Sequence, residues 1–182
     1  DYLVAGQTMI PEKDQKYYSE KIVYLPSYQV NDSKESPPEV FFTRQDLGLP
    51  EEGFVFCCFN NTYKITPTTF DSWARILKRI DESVLIIFAD NKSAKANLTK
   101  EIILRGVKPE RLIFGESLSR PEYLARYRVA DLFLDTSPYN AGTTASDALR
   151  MGLPVLTLKG NSFNSREAAS VIGALNMPEL IT

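Results

Sequence analysis

The chain has 182 residues, 43% of them apolar and 24% charged, with a formal net charge of −2. That length buries a sizeable core as one domain, with room for an appendage. The slightly acidic balance argues against a nucleic-acid or anionic-membrane surface, no apolar run is long enough to span a bilayer, and the complete lack of histidine excludes histidine bases, Ser-His-Asp triads and Cys/His zinc sites within the chain.

The opening DYLVAG is no signal peptide, and a start without Met fits a piece of a longer protein. Residues 1–50 read as a lead-in or connecting segment. Ile22 to Leu25 has strand character, and the polar, Pro-containing stretch 29–40 reads as a loop or linker. Thr43 and Asp46 resemble a capping box for a short helix to Leu49, ended by Pro50 and Gly53.

From residue 51 the pattern becomes regular. FVFCCF (54–59) is a continuous apolar strand. Its neighbouring Cys57 and Cys58 point to opposite faces, so they read as buried free thiols rather than a disulfide. Asn60 to Lys64 is a loop. Thr66 is an N-cap, with Pro67 at the first helical position, and Phe70, Trp73, Leu77 and Ile80 recur at helical spacing. VLIIFA (84–89) is the next strand. A helix follows to about Arg105, with Leu98, Ile102 and Ile103 expected inward and Gly106 as its cap.

RLIFG (111–115) is the third strand. Ser119 and Glu122 form a capping box for a helix carrying Leu124 and Tyr127. Leu132 to Leu134 is a fourth strand, Asp135 to Asn140 a loop, and Ala141-Gly142-Thr143-Thr144 opens a helix that ends near Met151-Gly152. Val155 to Leu158 restarts the sheet, a helix runs from about Ser165 to Leu175, and Met177 to Ile181 begins another element. Apolar strands alternating with helices read as a Rossmann-like parallel sheet with helices on both faces. Neither a GxGxxG nor a GxxxxGK[ST] sequence is present, so dinucleotide oxidoreduction and P-loop phosphoryl transfer lose weight.

In such sheets ligands bind outside the strand carboxyl ends. The loops 60–64, 116–120 and 135–144 are expected on one rim. They bring Lys64 and Arg120, amides, hydroxyls, a helix start with Thr143 and Thr144, and the aromatic rings of Tyr63, Tyr123 and Tyr139. Cations and free N–H groups suit a diphosphate, and an aromatic face suits a base. Each feature alone has a plainer reading. Lys64 fits a solvated loop lysine, Arg120 and Arg126 fit exposed helix charges, and Thr144 with Asp147 fits a carboxylate variant of the capping box.

The segments FNNTYKITPTTFDSWARILKRIDESVL (59–85), LDTSPYNAGTTASDALRMGLPVLTLKG (134–160) and SREAAS (165–170) together resemble the carboxyl-terminal part of the O-linked N-acetylglucosamine transferase family, including its bacterial members and the SPINDLY group. The resemblance runs over the whole chain and is strongest over 53–182. It implies the C-terminal half of a B-type glycosyltransferase fold. Residues 1–50 would connect to a missing amino-terminal half, and 51–182 would be the nucleotide-sugar-binding domain.

Residue by residue, the resemblance places Lys64 at the diphosphate, as the catalytic group, with Asn61 near the same ligand. Leu118 and Arg120 would contact base and ribose, Tyr123 would stack on the base, and Arg126 would lie near it. Thr143 and Thr144 would meet the phosphates and Asp147 the ribose hydroxyls. Gly142 stands where the N-acetylglucosamine enzymes often carry histidine, which leaves only a backbone N–H contact there. The resemblance further implies a UDP-GlcNAc donor, no metal and no cofactor. The acceptor would be a protein engaged through the missing half and tetratricopeptide repeats, in the cytoplasm, with no nucleic-acid or membrane partner. The alternatives are a GDP-fucose-using SPINDLY-like transferase or a related nucleotide-sugar enzyme such as an epimerase, and a non-catalytic α/β interaction module.

Overall fold

A computed structural model describes residues 1–26 and 34–182. Part of the expected 29–40 loop therefore lies outside the described residues. The main sheet has five strands: β3 (Val55–Cys58), β4 (Val84–Phe88), β5 (Leu112–Gly115), β6 (Leu132–Leu134) and β7 (Val155–Leu156). Every pairing is parallel, in the order β5-β4-β3-β6-β7. The chain winds outward from β3 to β5, then returns to β6 on the other side. The β3/β6 boundary is thus the switch point, where α/β sheets leave a crevice at their carboxyl edge.

Burial on both faces explains the unbroken apolar strands. Val55, Phe56, Cys57 and Cys58 are all buried, and both thiols are free. Loss of solvent raises the pKa of both thiols. Helices α1 (Pro67–Arg79), α2 (Lys92–Leu104), α3 (Arg120–Ala125), α4 (Thr143–Arg150) and α5 (Glu167–Ala174) link and cover the strands. Thr66 caps α1 as its sequence indicates, accepting from Thr69 N–H at 3.2 Å. Phe70, Trp73 and Leu77 face the core. Ser119 and Glu122 close their capping box.

Four local expectations change. Ile103 is 51% exposed; Ile102 alone fills the inward position in that turn of α2. Ile80 is the C-cap of α1 and exposed rather than a core residue. The Thr43–Asp46 box forms, but it caps only a single 3-10 turn, Gln45–Leu47. The strand at 155–158 stops at Leu156; Thr157 instead bridges to Ile181, which also accounts for the element expected at 177–181.

Residues 1–25 carry structure of their own. β1 (Tyr2–Gly6) and β2 (Lys21–Leu25) pair in parallel as a separate two-stranded sheet over a small core of Ala5, Met9 and Ile10. Buried Arg166 ties this unit to the rest, donating to Met9 O at 3.2 Å and pairing with Asp14 at 3.0 Å.

Candidate functional site

Short, polar loops leave β3, β5 and β6 at the carboxyl edge, and long-range hydrogen bonds fasten them together. Asn60, directly after β3, is 2% exposed. Its amide donates to Asp135 Oδ1 (3.2 Å) and Thr136 Oγ1 (2.8 Å), and its carbonyl accepts from Thr144 Oγ1 at 2.5 Å. Asp135 in turn accepts from Thr136 N–H, Ala141 N–H and Thr157 Oγ1. Desolvation raises the Asp135 pKa to about 6, against the pull of these donors.

The expected Thr144–Asp147 capping box is not formed. Gly142 is the N-cap of α4, without a side-chain cap bond. Thr144 is taken by Asn60. Buried Asp147 receives both arms of Arg120, at 2.7 and 2.8 Å. Local capping loses here to long-range partners whose charge and burial make stronger bonds.

Lys64 ends a 3-10 turn, Thr62–Lys64, that Asn61 caps through its side chain. Lys64 Nζ donates to Asn140 O at 2.8 Å and lies 3.8 Å over the Tyr139 ring. Desolvation lowers its pKa, and Glu167 and Asp135 oppose that shift. The cation therefore stands beside the loop that leads into α4, where the first-turn N–H groups and the helix dipole favour an anion. Thr143, the first residue of α4, is exposed on this rim.

Next to it, Phe59, Asn61, Phe88, Glu116, Leu118, Tyr123, Arg126 and Thr144 are among the residues lining a cavity of about 340 Å³. Arg126 is 3% exposed. Its guanidinium lies 3.7 Å from the Phe59 ring centre and 4.5 Å from that of Tyr123, and it donates to Glu116 O at 3.2 Å. Its Nε has no partner and is buried, so an acceptor entering the cavity would satisfy a donor that is otherwise costly. Tyr123 packs edge-on against Tyr127 with the two hydroxyls 2.5 Å apart.

At the outer end, Arg120 binds a second carboxylate. Glu35 accepts from Arg120 Nε at 2.8 Å and from Arg150 at 3.0 Å, and the Arg120 hydrogen bond leads the lowering of its pKa. Asp147 and Glu35 together raise the Arg120 pKa.

All ten sequence-selected residues thus fall along one rim. Asn61, Leu118, Tyr123, Arg126 and Thr144 line the cavity. Lys64, Gly142 and Thr143 surround the start of α4, and Arg120 with Asp147 closes the far end. The sequence puts Asn60 in the first rim loop but does not single it out from its neighbour Asn61, although it is Asn60 that is buried. Sequence reasoning missed Glu35, Phe59, Phe88 and Glu167. A polar residue directly after an apolar strand could have pointed to Asn60; nothing local marks Glu35. Among the described residues no group of three or more His, Cys, Asp or Glu side chains is placed to hold a metal ion, and no helix is long and apolar enough to cross a membrane.

Fold and crevice together define a doubly wound α/β domain with an open crevice at the switch point of its sheet, resembling the B-type glycosyltransferase fold. The chain belongs to glycosyl transferase family 41, whose family model matches residues 29–182. It is 36% identical over 177 residues to a probable UDP-N-acetylglucosamine–peptide N-acetylglucosaminyltransferase, SEC, of Arabidopsis thaliana, covering 94% of this chain and 18% of SEC. It is equally 36% identical to the Caenorhabditis elegans UDP-N-acetylglucosamine–peptide N-acetylglucosaminyltransferase, over 81% of this chain and 13% of that protein. A mutant O-GlcNAc transferase from Thermobaculum terrenum superposes with a TM-score of 0.86 at 31% identity, over 100% of this chain and 34% of that one. The chain therefore spans less than a fifth of these two curated relatives and about a third of the solved transferase.

Proposed function

We propose that this chain is the nucleotide-sugar-binding part of a protein O-glycosyltransferase that moves N-acetylglucosamine from UDP-GlcNAc to Ser or Thr hydroxyls. Membership of family 41 and the named activities of its relatives support the reaction class. The observation that carries the site is the 2.8 Å bond from Lys64 Nζ to Asn140 O, which holds a cation at the entrance to α4.

The acceptor oxygen attacks the anomeric carbon, and the bond from that carbon to the diphosphate breaks. Charge then builds on the leaving UDP. Lys64 and the N–H groups at 142–144 stabilise it without a metal, the electrostatic contribution that usually dominates such steps. The base occupies the cavity of Tyr123 and Arg126, with the Arg126 Nε as a ready donor, and the ribose hydroxyls meet Asp147 and Arg120. No residue of this chain is assigned as the general base.

The acceptor protein engages parts of the parent molecule other than this chain, tetratricopeptide repeats included. Alone, the chain binds UDP weakly and transfers nothing. Two reduced, buried cysteines fit a cytoplasmic setting. Calorimetric titration with UDP and GDP tests the reading. UDP preference supports it, GDP preference turns it toward a fucose-transferring relative, and binding of neither turns it toward a non-catalytic module.

A further inference from the structure

Gly142 and Glu167 are in contact across the mouth of the site. A Cβ built on Gly142 would lie 2.4 Å from Glu167 Oε1, 2.8 Å from its Cδ and 3.3 Å from its Oε2. No side chain fits there while the carboxylate stays. Glycine is thus what lets Glu167 reach the N-cap of α4.

The Glu167 carboxylate also acts on the groups around the proposed phosphate position. Its charge favours the protonated forms of both Lys64 and Tyr139. The guanidinium of the adjacent Arg166 turns the other way, donating to Asp14, Met9 O and Asn161 O. Glu167 opens α5, where an acidic residue suits that helix's own dipole. That role accounts for its residue type but not for its approach to the start of a second helix, at Gly142.

We propose that the Glu167 carboxylate is an internal occupant of the anion site at the start of α4, which the donor diphosphate must displace in order to bind. This rests on the nucleotide-binding reading above and adds a property that reading does not require. Like charge opposes like charge at the same N–H groups and the same lysine, so Glu167 weakens the diphosphate half of the ligand and leaves the nucleoside half untouched.

The test is the ratio of UDP to uridine affinity, measured by calorimetry or ligand-observed magnetic resonance at low salt, for the 182-residue chain and its Glu167→Gln and Glu167→Ala variants. Removing the charge should tighten UDP by roughly five-fold, with the gain shrinking as salt rises. Uridine should bind all three proteins alike. A general change in stability would move both ligands together and leave the ratio unchanged. An unchanged ratio, or weaker UDP binding in both variants, overturns the proposal while the nucleotide reading stands. Failure of the unaltered chain and of both variants to bind UDP or uridine overturns both.

Discussion

The side-chain amide of Asn60 lies 3.2 Å from Asp135 Oδ1 and joins the ends of β3 and β6 across the switch point of the sheet. From this pair the bonds fan out to Thr136, Ala141 and Thr144. The crevice is held open in one shape by a buried polar network, in which each member satisfies another.

Asn60→Ala should therefore cost more than a loop substitution. It strips the Thr144 hydroxyl of its acceptor and Asp135 of a donor in a buried setting, and should destabilise the fold by about 1–3 kcal/mol. Urea denaturation measures that loss. Asn61→Ala, on the exposed neighbour, removes only a long side-chain cap on a single 3-10 turn and should cost less, about 0.5 kcal/mol.

Lys64→Ala should weaken UDP binding by roughly 1.5–3 kcal/mol, the range for hydrogen bonds to a charged group. Uridine should be unaffected, because the lysine sits at the phosphate end. Calorimetry with both ligands checks this, and equal losses for the two would place Lys64 elsewhere in the site.

Asp135 gives a pH signature. Its folded pKa, about 6, lies above the ordinary carboxylate value of 3.8. Between these two values the folded state binds more protons than the unfolded state. Stability from this group is therefore greatest at low pH and falls as pH rises toward about 6, then levels off. Asp135→Asn keeps the Oδ1 acceptor and removes the titration. Melting curves from pH 4 to 7 should show this downward contribution in the parent chain and lack it in the variant.

Cys57 and Cys58 are buried, with thiol pKa values raised by desolvation. Neither should react with a thiol reagent at neutral pH in the folded chain, and both should react once the chain is unfolded in guanidinium. Fast labelling of the native protein would contradict the burial.

Much of the main sheet was legible because its strands carry the signal in every residue. Val55–Cys58 and Val84–Phe88 are apolar throughout, as strands covered on both faces must be. Thr66 and Pro67 mark the start of α1 through rules that act within one turn. Where residues distant in sequence compete, local rules gave the wrong partner. Thr144 and Asp147 look like a cap, yet Asn60 and Arg120 claim them from 84 and 27 residues away. β1 was missed because Tyr2–Gly6 is a strand only by pairing with Lys21–Leu25. Glu35 sits in a polar stretch with no periodicity, so only the fold reveals that it meets Arg120 and Arg150.

On the proposed function, the loops after β3, β5 and β6 bind one nucleotide diphosphate together. Backbone amide shifts on titrating the isotope-labelled chain with UDP test it most directly. Asn60–Lys64, Leu118–Tyr123 and Ala141–Asp147 should move as one set with a single affinity. Shifts confined to the groove beside Trp73 and Pro138, or to the opposite edge around Lys78 and Arg111, would contradict it.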